Sequence, residues 1–135
     1  MGAQEKVIGL DTNIIVRLIV DDDAEQVSRA RSLILERGGF VQSSVLVETA
    51  WVLRKTYGYT VVQVAQFLMA LYETDTLHFD MGERMPLVLD AMVNGLDIAD
   101  AVHVASCPVP TFATFDTALA RRAAKIFSTP EVITP

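Results

Sequence analysis

Five carboxylates stand where the chain would otherwise continue an apolar core. Asp11 interrupts VIGLDTNIIV, a run that offers it no cationic partner. Glu48 lies in SSVLVETAWVL, Asp97 and Asp100 in GLDIADAVHVA, and Asp116 in FATFDTAL. The spacing of Asp97 and Asp100, three apart, puts both on one helix face. Carboxylates gathered together repel, and without a counter-charge some must stay protonated. A hard divalent cation removes the conflict, since Mg²⁺ takes oxygen ligands from a few carboxylates, waters and phosphate. No histidine-rich or cysteine-rich cluster competes for a softer metal. The chemistry such a set supports is metal-assisted phosphodiester hydrolysis. Taken singly, each acid has a plainer role: Asp97 and Asp116 as helix N-caps, Glu48 as a solvated helix residue. Their joint placement points to a site.

That placement follows from the elements that carry them. Val7–Leu10 reads as a short buried strand and Asn13–Val20 as a short helix, with Asp21–Asp23 as a solvated cap for the next. Ala24–Arg37 has apolar residues at helical spacing and stops at Gly38-Gly39. Phe40–Ser43 is a second strand, and Ser44 is expected to cap a helix running to about Tyr57. Thr60 caps a helix over Val61–Glu73, Thr76–Phe79 is a third strand, and Gly82 to Asn94 is helical with Pro86 in its first turns. Asp97 starts a helix that Pro108 terminates. Thr111–Thr114 is a fourth strand, Asp116–Lys125 a helix, and EVIT a last short strand. Strands alternating with helices predict βαβ units, a mainly parallel sheet and helices on both faces. Functional crevices in such sheets lie beyond the carboxyl ends of the strands, where Asp11 and Asp116 fall.

Length and composition bound the rest. A chain of 135 residues, about half of them apolar, is expected to form one domain over 1–135 with a single core. Its apolar runs are too short to span a membrane. The opening MGAQEK lacks the pattern of a signal peptide, so a cytoplasmic protein is expected. A single cysteine, Cys107, excludes an internal disulfide and reads as a small buried hydrophobe. A net charge of −6 argues against a simple basic nucleic-acid binder, unless the acids are gathered around cations that invert the local field.

In order along the chain, VIGLDTNIIVRLIVDD, SSVLVETAWVLRKTYGY, GLDIADAVHVA and FATFDTALARRA resemble the PIN-domain ribonucleases, most of all the VapC-type toxins of toxin–antitoxin pairs. The resemblance runs from about Val7 to Ile133. It implies a three-layer α/β/α sandwich around a mainly parallel sheet of four or five strands, and a Mg²⁺- or Mn²⁺-dependent endoribonuclease. It also implies a homodimer and inhibition by a cognate antitoxin protein. The family's acids fall on Asp11, Glu48, Asp100 and Asp116, with Asp97 as an accessory metal ligand. Asn13 and Thr114 match polar residues that shape the site by hydrogen bonding. Between Asp100 and Asp116 the chain is about one helical turn shorter than the resemblance implies, because Pro108 and Pro110 end the helix early.

Other residues carry weaker signals. Arg17, Arg54, Lys55, Arg121 and Arg122 are candidates for contact with RNA phosphates, with Arg121 and Arg122 favoured because they follow Asp116 by one to two turns. His103 neighbours Asp100 on its helix and reads as a packed or surface histidine. Trp51, Tyr57, Tyr59, Phe67, Leu68, Met69 and Leu71 form core or a partner surface. Two rival functions remain. An aspartate-nucleophile phosphatase would carry a second aspartate two residues after Asp11, where Asn13 stands. A non-catalytic interaction module would have no reason to keep repelling acids together.

Overall fold

The apolar run ahead of Asp11 pairs as a strand because a parallel neighbour on one edge satisfies its backbone. The computed structural model describes residues 6–135. Residues 1–5 of the opening segment, read above for a targeting signal, lie outside the described residues. The chain divides into two compact units, one ending at Gly82 and the other starting at Glu83.

In the first unit, β1 (Ile8–Gly9), β2 (Gly39–Val41) and β3 (Leu77–Phe79) form a parallel ladder in that order. Parallel neighbours need long crossovers, here α1 (Thr12–Val20) with α2 (Ala24–Arg37), then α3 (Ser43–Lys55) with α4 (Val61–Tyr72). The core of this unit is Ile15, Val41, Leu46, Leu53, Val64 and Leu68, all buried. Gly39 sits mid-ladder because nothing larger fits. A Cβ there would lie 2.5 Å from Leu10 Cδ1 and 2.9 Å from Leu77 Cδ2, both on buried side chains.

The aspartate run is divided among three tasks. Asp21 takes a left-handed φ of 56° at the end of α1, Asp22 pairs with Arg17 at 2.6 Å, and the carboxylate of Asp23 caps α2 by accepting the Gln26 N–H at 3.1 Å. Thr60 and Gln63 form the reciprocal capping box that opens α4.

The start of α3 differs from the expected Ser44 cap. The helix begins two residues earlier, after Gln42, whose side chain makes no capping bond. Its cap comes from Asp80, just past β3, which accepts the Ser43 N–H at 2.9 Å and the Ser43 hydroxyl. Local sequence could not announce a cap delivered from 37 residues away.

The second unit opens with α5 (Met85–Val93), which Pro86 helps to start; the preceding Gly82–Arg84 is a 3₁₀ turn rather than part of the expected helix. Then come α6 (Ile98–Ala105), β4 (Thr111–Ala113), α7 (Thr117–Ile126) and β5 (Glu131–Ile133). β4 and β5 pair in parallel, and the Thr114 N–H extends the ladder to the Ile133 carbonyl at 3.0 Å. Met85, Val88, Ala91, Ala101, Val104 and Ala123 are its most buried side chains. Gly95 turns the chain after α5 at φ 103°, a conformation glycine adopts without steric cost. Cys107 is half-buried rather than enclosed, and its thiol donates to the Val109 carbonyl at 3.4 Å. Among the described residues no helix is long and apolar enough to cross a membrane.

Asp80→Ala is expected to cost about 1 kcal/mol of unfolding free energy through the lost cap, with Asp80→Asn retaining most of it. Urea unfolding of the two variants checks this.

Candidate functional site

Asp11 lies two residues past the end of β1 and adopts the extended backbone of an N-cap. Its Oδ1 accepts the Thr12 N–H at 2.8 Å, and the side chain is exposed. Glu48, exposed one turn into α3, shares a hollow of about 290 Å³ with Asp11, Thr12 and Asn13. Val16, Val52 and Tyr57 complete the wall, together with Arg17.

The one cation in that hollow is committed elsewhere. Arg17 donates to Asp22 at 2.6 Å and to Gln26 Oε1 at 2.9 Å, and the Asp22 hydrogen bond raises its guanidinium above the ordinary arginine value. Arg17–Asp22 is the only ion pair among the described residues, so neither Asp11 nor Glu48 has a cationic partner there. Thr12 also lines the hollow, and its hydroxyl is buried without a hydrogen-bond partner, which is unusual for a buried polar group. Two unpaired carboxylates, an amide and an orphaned hydroxyl form an all-oxygen and amide donor set. It fits a hydrated hard cation, whose waters supply the donors that the carboxylates lack.

In the second unit two acids act on a third. Asp97 caps α6, accepting the Ala99 N–H at 3.0 Å. Asp116 caps α7, accepting the Leu119 N–H at 3.0 Å, while its own N–H donates to Thr114 Oγ1 at 3.0 Å. Thr114 thus orients Asp116 through the backbone. Asp100, in the first turn of α6 and half-buried, has its carboxyl pushed above the ordinary carboxylate range. Burial is the main cause, and the like charges of Asp97 and Asp116 add to it against a smaller opposing effect of His103. His103 is exposed, the surface one of the two expected placements.

The first unit therefore brings together Asp11, Glu48 and Asn13, and the second brings Asp97 and Asp116 within electrostatic reach of Asp100, with Thr114 supporting. Among the described residues, no group of three or more His, Cys, Asp or Glu side chains is arranged to hold a metal ion as it stands. Thr12 and Tyr57 belong to the first hollow although the sequence did not mark Thr12 at all. A threonine following the strand-end aspartate was the available signal. Arg121 and Arg122 are exposed on α7 and line a separate hollow with Lys125, which the sequence reading passed over.

Residues 8–125 match the family model described as PIN domain. No curated protein and no solved structure matches the chain.

The raised carboxyl of Asp100 has a defined signature in stability. Folded, it binds a proton more tightly than unfolded, where its value is near 3.8. As pH rises from there through the folded value, the native state holds the extra proton and loses stability. Asp100→Asn should therefore match the parent at acid pH and gain on it above that window. Urea unfolding of both proteins across a pH series tests this, and a difference that does not grow with pH would refute it.

Proposed function

The chain belongs to the PIN-domain family, and we propose that it is a Mg²⁺- or Mn²⁺-dependent endoribonuclease, the toxin of a toxin–antitoxin pair. Members of the family are generally metal-dependent nucleases, and the α/β class with parallel strands expected from the sequence is the family's own. RNA as substrate, the cation's identity and the antitoxin partner are our reading. The same holds for action as a single domain, a homodimer and a cytoplasmic location.

The observation that carries the reading is the hollow of the first unit, where Asp11 and Glu48 stand unpaired beside an orphaned hydroxyl. Carboxylates kept close without a protein cation favour an exogenous one. We assign cation binding to Asp11 and Glu48 in the first unit and to Asp97, Asp100 and Asp116 in the second, directly or through water. When bound, a hard divalent cation supplies charge neutralisation and polarisation at a phosphodiester.

The chain's own residues prepare for that role. Asp11 gives one oxygen to the start of α1 and keeps the other free for a ligand. Asp116 is fixed twice, by the cap it provides to α7 and by the Thr114 hydroxyl that accepts its N–H. Asn13, exposed in the hollow, offers an amide that can hydrogen-bond a coordinated water or a phosphate oxygen. The raised carboxyl of Asp100 means that its ionisation, and hence its fitness as a ligand, improves as cation binding offsets Asp97 and Asp116.

Asp11→Asn tests the assignment cleanly. Asparagine caps a helix about as well as aspartate, so the thermal midpoint should hold or rise slightly. Mg²⁺-dependent cleavage of single-stranded RNA should fall by about a hundredfold or more, beyond the loss typical for an outer partner of a ligand. Full cleavage by a folded Asp11→Asn variant would end this reading.

A further inference from the structure

Acidic residues alone do not explain how a chain of net charge −6 would grip a polyanion. Cations are few, eleven lysines and arginines against seventeen acids, yet three of them share one place. Arg121, Arg122 and Lys125 of α7 line a hollow of about 510 Å³ in the second unit, opposite Asp90 and Asn94 at the end of α5.

None of the three is neutralised. Arg17–Asp22 is the only ion pair among the described residues. The one acid in the hollow, Asp90, accepts instead from Asn94 Nδ2 at 3.0 Å. Arg122 is tethered, donating from Nη1 to the Gly95 carbonyl at 3.1 Å. Arg121 and Lys125 are exposed and one turn apart, a like-charged pairing that disfavours a helix. A cation in the last turn suits the helix dipole, which accounts for Lys125 but not for two arginines before it.

We propose that this hollow binds the phosphodiester backbone of single-stranded RNA. The inference rests on the nuclease reading above and adds the place where the substrate is held. Guanidinium groups match phosphate oxygens with two donors in a plane, and lysine adds a point charge. Such contacts supply affinity and register without reading sequence. Arg121 and Lys125 follow Asp116 by five and nine residues, about 7.5 and 13.5 Å along the helix axis at about 1.5 Å per residue. A strand held there has further phosphodiesters within reach of the end of α7 that Asp116 caps.

The test uses the full chain in EDTA, so that binding is read without cleavage. Fluorescence anisotropy of a short labelled single-stranded RNA is followed across a salt series. Arg121→Ala combined with Lys125→Ala should weaken binding about tenfold and lower the salt slope by about 1.4, from about 0.7 per lost phosphate contact on a single strand. Arg122 is left in place because of its bond to Gly95. Lys125→Arg should bind as the parent does, and paired glutamine replacements repeat the measurement if alanine disturbs α7. Unchanged affinity and slope in a folded double variant would overturn the site, as would a parent that fails to bind RNA. Loss of self-association in place of RNA binding would also overturn it, marking a contact between copies. A parent that binds RNA through these cations yet never cleaves it with Mg²⁺ would uphold the hollow and separately refute the nuclease reading.

Discussion

Asp11, Asp97 and Asp116 each give a carboxylate oxygen to a backbone N–H at the head of a helix. The first N–H groups of a helix have no partner within it, so an aspartate placed there is held by the backbone itself. Asp11 and Asp116 also keep an oxygen that the cap does not use. Position and availability thus come from a single interaction, and the supporting contacts build on it. Thr114 accepts the Asp116 N–H two residues on, and Asn13 and Thr12 follow Asp11 into the same hollow.

The cost of this arrangement is repulsion. Asp100 shows it most directly, because partial burial and two neighbouring acids together hold its carboxyl above the usual range. In the first unit the effect is one of omission: Arg17 lies in the hollow but is bound to Asp22 and Gln26, so it leaves Asp11 and Glu48 without a counter-charge. A protein selected only for stability would be expected to neutralise such acids internally. Asp80 gives the contrast. It follows a strand of the same ladder as Asp11 does, yet both its oxygens are engaged by Ser43, and it acts as a clamp for α3.

Much of this was legible in the chain. The limits of α2 follow from apolar spacing with a glycine stop and the start of α4 from the Thr60 cap, and the strand-end positions of Asp11 and Asp116 follow from the alternation of strands and helices. The roles of Asp97 and Asp116 as caps were readable from type and position alone. What escaped reading was long-range: the cap of α3 comes from Asp80, and the first turns expected for α5 are a 3₁₀ turn. Thr12 was passed over because its orphaned hydroxyl matters only once the helix buries it.

The order of residues by itself determined which side chains are acids, where each stands relative to a strand end or helix start, and therefore what each can ligate. Those properties depend on local periodicity and capping, which act over a few residues. Tertiary structure alone decided which groups are neutralised, which carboxyl is forced upward and which cations share a hollow. Charge and burial act through space, and a chain written in one dimension does not show which of its distant residues become neighbours.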